Sequence, residues 1–138
     1  MLTIDANVWI AAFDPADCFH GVSATMLRRA ASGNFSLYAP DIAQLEVACA
    51  VSRRRRDPAA GVAAGSKLAA HPVLRMVLVD TTLQAAALRI GTQCFLRGAD
   101  ALYAAAAELT GSVLISWDKE LVSRSGGLTP TDWLIANP

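Results

Sequence analysis

Short runs of apolar residues alternate along this chain with longer segments whose apolar positions recur at helical spacing. The short runs predict strands at 2–4, 36–39, 73–79 and 113–115, with a further edge strand at 128–129. The longer segments predict helices at about 7–13, 20–32, 42–56, 59–70, 82–96, 99–109 and from 119. This alternation predicts an α/β fold with a mostly parallel sheet and helices on both faces.

Local signals refine several of the predicted helices. Asp41 with Gln44 three residues later has the spacing of a reciprocal N-cap. In the helix that follows, Ile42, Leu45 and Cys49 fall on one face and predict its inward stripe. Glycines at 61 and 65 are expected to weaken the next helix, because glycine loses more conformational freedom on folding than other residues.

Composition restricts the class of protein. The 138 residues predict a single domain over 1–138, and the 54% apolar content excludes a disordered chain. Basic and acidic residues number 12 each, so the overall charge predicts no polyanionic partner. No apolar run approaches the roughly 18 residues of a membrane span. Three cysteines without a CxxC pair and the absence of a signal-peptide pattern predict reduced thiols in a cytoplasmic protein.

Four acidic residues occupy positions that suggest a site. Asp5 closes the first strand and Asp118 lies just beyond the fourth, and ligand crevices in open α/β sheets form at these strand ends. Asp100 begins a helix, where it could be a cap or part of the site. Glu46 lies on or beside the predicted inward stripe, which favours a paired or metal-bound carboxylate, although a rim position in water remains open.

The chemistry of these candidates is that of hard oxygen ligands. His20 and His71 are the only histidines, and both are expected to be ordinary surface or loop residues. Oxygen-only ligation suits Mg²⁺ or Mn²⁺ rather than zinc. No glycine-rich phosphate loop is present, which argues against an ATP-binding P-loop.

Four segments in register resemble the motifs of the PIN-domain ribonucleases, specifically the VapC-type toxins of prokaryotic toxin–antitoxin pairs. They are LTIDANVWI at 2–10, PDIAQLEV at 40–47, RGADALYAAA at 97–106 and LISWDKEL at 114–121. Ser116 stands where threonine is common in the family. Glu120 stands where many members carry a second aspartate, two residues after the fourth acid.

The resemblance implies a three-layer α/β/α fold with a central, mostly parallel five-stranded sheet. It also implies a Mg²⁺- or Mn²⁺-dependent endoribonuclease that forms a homodimer and is inhibited by a VapB-type antitoxin. The implied catalytic metal ligands are Asp5, Glu46, Asp100 and Asp118. Asn7, Ser116 and Glu120 would support the ligands or the metal-bound water through hydrogen bonds.

The arginine run Arg53, Arg54, Arg55 and Arg56 is the candidate RNA contact, because arginine grips phosphates and stacks on unpaired bases. A solvated helix end and an antitoxin contact are the alternatives for this run. For the chain as a whole, two other functions remain open: a catalytically inactive PIN-fold interaction module, and another metal-dependent phosphate hydrolase.

Overall fold

The computed structural model describes residues 1–138. The chain forms four strands and eight helices. They follow in the order β1 (Leu2–Ile4), α1 (Ala6–Phe13), α2 (His20–Ser32), β2 (Leu37–Pro40), α3 (Ile42–Arg55), α4 (Pro58–Ala69), β3 (Leu74–Val77), α5 (Thr81–Cys94), α6 (Gly98–Thr110), β4 (Val113–Ile115), α7 (Lys119–Ser125) and α8 (Pro130–Ala136). None of these helices has the length and apolar character needed to cross a bilayer.

The sheet is parallel throughout, with the strand order β3-β2-β1-β4. The chain therefore builds outward from β1 through β2 to β3, and then returns to place β4 on the opposite side of β1. This reversal of direction opens a crevice beyond the carboxyl ends of β1 and β4, where open α/β sheets bind their ligands. The predicted α/β class with a parallel sheet flanked by helices is confirmed.

The sheet has four strands rather than five. The predicted strand at 128–129 is reduced to one parallel bridge between Leu128 and Ile115. The ladder cannot continue because Thr129 caps α8 and Pro130, which has no backbone N–H, begins that helix. The sequence analysis missed α8 itself, although a threonine followed directly by proline is a helix-start signal.

Helix α6 covers the middle of the sheet and packs against β1, β2 and β4. It can do so closely because five alanines between positions 101 and 107 are buried at its surface. Among them, Tyr103 is one of the largest fully buried side chains of the protein. Residues at the start of α6 are thereby held beside the crevice between β1 and β4.

The two glycines of α4 serve a close contact with α3. A Cβ added at Gly61 would lie 2.5 Å from the carbonyl oxygen of Ala48, and one at Gly65 would lie 3.1 Å from the Ala48 Cβ. Larger residues would therefore force the two helices apart. The glycines were expected only to weaken α4, whereas the structure uses them to fix the position of α3, which carries Glu46.

Candidate active site

A cavity of about 560 Å³ opens at the crevice between β1 and β4. It gathers acidic side chains from four separate segments: the end of β1, helix α3, the first turn of α6 and the loop after β4. Its lining comprises Asp5, Ala6, Asn7, Ile10, Glu46, Cys49, Ala50, Arg53, Arg97, Asp100 and Asp118. The structure thus brings together all four acids singled out from the sequence, and neither histidine is among the lining residues.

Asp5 is the buried member of the cluster, with 7% of its surface exposed. It is the N-cap of α1, and its Oδ2 accepts hydrogen bonds from Ser116 Oγ at 2.5 Å and from Asn7 Nδ2 at 2.7 Å. Burial raises the pKa of Asp5 to about 6, which the two hydrogen-bonding partners partly oppose and the charges of Glu46 and Asp100 reinforce.

Asn7 and Ser116 also fix the loop that follows β4. The backbone N–H of Trp117 donates to Asn7 Oδ1 at 3.1 Å, and that of Asp118 donates to Ser116 Oγ at 2.9 Å. The side chains that hold Asp5 therefore also position Asp118. This is the placement expected of residues whose hydrogen bonds orient neighbouring carboxylates.

Asp118 divides its two oxygens between two tasks. Oδ1 caps α7 by accepting from the backbone N–H groups of Glu120 at 2.8 Å and Leu121 at 3.1 Å, and Oδ2 accepts from Arg97 Nη2 at 2.5 Å. The backbone hydrogen bonds, foremost that of Leu121, and the charge of Arg97 lower the pKa of Asp118. Asp118 is consequently ionised and held in place at neutral pH.

Asp100 lies in the first turn of α6 but does not cap the helix, since the N-cap residue is Arg97 and makes no side-chain cap bond. Its Oδ2 instead accepts from Arg97 Nε at 2.7 Å. The same guanidinium thus bridges Asp100 and Asp118. Sequence reasoning did not assign a role to Arg97, although an arginine three residues before a helical aspartate is a recognisable ion-pair spacing.

Glu46 is half-buried and accepts a hydrogen bond from the phenol of Tyr103, with Oη and Oε2 at 2.6 Å. Burial, reinforced by the charge of Glu46, raises the pKa of Tyr103, so the phenol remains a proton donor. The predicted inward stripe of α3 was wrong: Leu45 is 62% exposed, and Ala43, Val47 and Val51 face the core. Glu46 nevertheless lines the cavity, beside the buried face.

Glu120 and most of the arginine run lie away from the acids. The Glu120 carboxylate pairs with Arg124 at 2.9 Å and does not line the cavity. Of the four arginines, Arg53 alone lines it. Arg54 pairs with Asp17 at 3.0 Å, Arg55 lines a separate cavity, and Arg56 ends α3 in the left-handed conformation. Successive residues of a helix diverge by about 100°, so a run of four cannot face one site.

Trp117, next to Asp118 in the chain, forms an aromatic pair with Phe19, and neither ring is part of the cavity lining. The rings of Phe19 and Trp117 stack with centroids 4.1 Å apart and planes 18° from parallel. Trp117 is anchored by its indole N–H, which donates to the buried Ser23 hydroxyl at 2.8 Å. Phe19 is 44% exposed. Because Trp117 lies between Ser116 and Asp118 in the chain, the stack is rigidly connected to the acid cluster.

The side chains that line the cavity offer the type of donor that a divalent cation prefers. No three His, Cys, Asp or Glu side chains converge as a ready-made metal site. The donors nevertheless suit Mg²⁺ or Mn²⁺, because four carboxylates line the cavity. The lining contains no histidine and a single cysteine, Cys49. Neither Asp5 nor Glu46 forms an ion pair, whereas Asp100 and Asp118 share Arg97. The residues therefore fit a divalent cation, with half of the cluster lacking any positive partner.

Comparison with known proteins agrees with this architecture. Residues 2–126 match the model of the PIN domain family. No curated protein sequence matches the chain significantly.

Solved structures with the same fold share little sequence with the chain. Protein PAE2754 from Pyrobaculum aerophilum is 22% identical, with a TM-score of 0.70 over 98% of this chain and 87% of that one. VapC20 from Mycobacterium tuberculosis, described as a toxin that cleaves the sarcin–ricin loop, is 18% identical, with a TM-score of 0.72 over 89% and 94%. A toxin–antitoxin complex from Klebsiella pneumoniae is 17% identical, with a TM-score of 0.70 over 94% and 98%.

Proposed function

Because the chain belongs to the PIN domain family, we propose that it is a metal-dependent endoribonuclease of the VapC type. The observation that carries the proposal is that four carboxylates, from segments far apart in the sequence, line one cavity at the strand-order reversal. The proposed metal ligands are Asp5, Glu46, Asp100 and Asp118.

In this proposal, Asp5, Glu46, Asp100 and Asp118 would hold Mg²⁺ or Mn²⁺, which would supply activation of water and neutralisation of charge on the phosphate. The chain's own residues provide the orientation. Ser116 and Asn7 hold Asp5, and Tyr103 holds Glu46. Asp118 keeps one oxygen directed at the cavity because α7 fixes the other. With such a cation bound, the reaction would not need a histidine base, and no histidine lines the cavity.

The test is cleavage of RNA by the purified protein with Mg²⁺ or Mn²⁺ and with EDTA. Asp5→Asn and Asp100→Asn should each abolish metal-dependent cleavage while circular dichroism shows a retained fold. Glu108→Gln is the matched control, because this exposed acid pairs with Arg89 outside the cavity. Native-like activity of either aspartate variant would reject the site. A native protein without any metal-dependent cleavage would favour the inactive interaction module.

The proposed substrate is unpaired RNA. In support, the half-exposed ring of Phe19 stacks on Trp117, which precedes Asp118 in the chain, and nucleobases bind such rings by stacking. Arg53 at the cavity lining offers a charge for the phosphate backbone. The same assay, run with single-stranded, hairpin and duplex RNA, tests the substrate class.

The proposed partners are a VapB-type antitoxin and a second copy of the chain. In support of the antitoxin, a similar fold occurs in the toxin–antitoxin complex from Klebsiella pneumoniae. An antitoxin-like reading frame directly preceding the gene, whose co-expression relieves growth inhibition, is the expected result. In support of a homodimer, Leu88 and Phe95 of the α5 region are 71% and 80% exposed. Light scattering after gel filtration tests it.

We also propose that residues 1–138 form one domain that works in the cytoplasm. In support of the first point, one buried cluster contains both Leu2 and Trp133. In support of the second, all three cysteines are free and two are exposed, which suits a reducing compartment. Single-transition unfolding and cell fractionation test the two points.

A further inference from the structure

Arg97 occupies half of the acid cluster. Its Nε is 2.7 Å from Oδ2 of Asp100 and its Nη2 is 2.5 Å from Oδ2 of Asp118. Because Oδ1 of Asp118 is committed to the cap of α7, Oδ2 is the oxygen that this residue can offer to a ligand. A guanidinium therefore already fills the position between these two carboxylates.

We propose that Arg97 is an internal cation which a divalent metal ion must displace to reach Asp100 and Asp118. This inference rests on the proposed function, because it concerns the same metal site. Mg²⁺ binds oxygens at about 2.1 Å, and an ion at that distance from both Oδ2 atoms would overlap the guanidinium bonded to them. Arginine and metal therefore exclude each other at this pair.

The structure allows Arg97 to leave its position at low cost. Its side chain is 71% exposed, and its hydrogen bonds to Asp100 and Asp118 are its only side-chain bonds. The Asp118 carboxylate, by contrast, is held by the α7 cap, and Asp100 lies in the first turn of α6. Exchange therefore moves one exposed side chain and leaves the backbone unchanged. The released guanidinium remains at the cavity lining, where it faces an incoming phosphate.

The arrangement also explains why the acids do not converge as a metal site. Asp100 and Asp118 are oriented around a forked donor with two nitrogens, while Asp5 and Glu46 have no cationic partner. Entry of the metal would replace one positive charge shared by two acids with two positive charges shared by four. The exchange would thus reduce the repulsion among the four carboxylates, which Arg97 offsets only for Asp100 and Asp118.

The first test measures Mn²⁺ affinity by titration calorimetry on the full chain without RNA. Arg97→Gln should bind Mn²⁺ about three- to tenfold more tightly than the native protein, because it removes the competing guanidinium. The effect is modest, since the ion pairs that hold this guanidinium are exposed. Arg97→Lys should also bind more tightly, because an ammonium must share one nitrogen between the two oxygens, whereas the guanidinium offers a separate nitrogen to each. Arg89→Gln, which breaks an exposed ion pair with Glu108 elsewhere, should leave the affinity unchanged.

The second test follows Arg97 directly in the native protein. In ¹⁵N-labelled protein, the Nε–H resonance that disappears in Arg97→Lys should be protected from exchange without metal. Saturating Mg²⁺ should remove that protection, because the bond to Asp100 is lost. An Nε–H resonance unchanged by saturating Mg²⁺ would overturn the inference.

The outcomes separate this inference from the proposed function. If Arg97→Gln binds Mn²⁺ no more tightly than the native protein, there is no displacement. If Arg97→Lys matches the native protein while Arg97→Gln binds more tightly, the effect is charge repulsion alone, which also overturns displacement. If neither the native protein nor any variant binds Mn²⁺, the metal-dependent function fails, and this inference fails with it.

Discussion

The buried phenol of Tyr103 donates a hydrogen bond to Oε2 of Glu46 across 2.6 Å. The two residues lie 57 positions apart and join α6 to α3 at the wall of the acid cavity. With 1% of its surface exposed, Tyr103 has no access to solvent or substrate. Its role is therefore to position Glu46.

Tyr103→Phe should leave the Glu46 carboxylate free to rotate. We expect kcat to fall about tenfold with KM for RNA nearly unchanged, and Mn²⁺ affinity to weaken, because loss of a supporting partner typically reduces metal affinity or activity 10- to 100-fold. Tyr38→Phe is the matched control, since the Tyr38 hydroxyl bonds only to Met1 sulfur outside the cavity. Native-like kcat and metal affinity in Tyr103→Phe would limit the phenol to a structural role.

Asp5 should make the metal-free protein less stable as the pH rises. Its folded pKa is about 6, above the ordinary 3.8, so the folded state binds the proton more tightly. The resulting stabilisation is complete below about pH 3.8 and is lost as the pH rises through 6, by at most about 3 kcal/mol. Urea unfolding in EDTA across this range should show a larger decline for the native protein than for Asp5→Asn. Parallel pH profiles would contradict the prediction.

Arg53 and Arg54 should behave differently despite being neighbours. Arg53→Gln should weaken binding of single-stranded RNA and reduce the slope of log affinity against log salt by about 0.7, because Arg53 lines the acid cavity. Arg54→Gln should leave the slope unchanged, since Arg54 pairs with Asp17. Fluorescence anisotropy in EDTA measures both without cleavage. Equal slopes for the native protein and Arg53→Gln would remove Arg53 from the RNA interface.

Phe19→Ala should weaken binding of single-stranded RNA by about 1–3 kcal/mol, the usual value of stacking one base on an aromatic ring. Binding of duplex RNA should change little, because paired bases cannot reach the ring. Ile135→Ala is the control, since Ile135 is 74% exposed on α8 and has no aromatic ring on which a base could stack. The same loss for single-stranded and duplex RNA would argue against base stacking.

The elements that sequence patterns predicted best are those whose signals are local. The strands at 2–4 and 113–115 are short apolar runs between polar residues, and the structure has them at those positions. Asp5 follows β1 directly and Asp118 lies three residues after the end of β4, so a parallel sheet alone was enough to bring them to one edge. For the same reason, the class of the fold followed from the alternation of elements.

What the sequence did not predict depends on contacts between distant segments. The face that α3 turns toward the core follows from its packing on α4 at Gly61 and from the burial of Ala43. The pattern of apolar residues predicted the wrong face because Leu45, although apolar, is exposed to solvent. The Tyr103 contact with Glu46 depends on this orientation of α3. The fifth strand, predicted at 128–129 from the residue pattern and implied by the family resemblance, is reduced to a single bridge because Pro130 begins a helix.

The order of the strands also determines when each part of the acid cluster is completed during synthesis. β1 lies between β2 and β4, so its second edge stays unpaired until residues 113–115 have emerged from the ribosome. Asp5 is made first among the four acids and Asp118 last, and Ser116, which holds Asp5, arrives just before Asp118. A nascent chain therefore contains Asp5, Glu46 and Asp100 before it contains Asp118, and before Ser116 can donate its hydrogen bond to Asp5. Such a chain can begin to fold from its N-terminus, but the complete cluster of acids exists only after translation has passed β4.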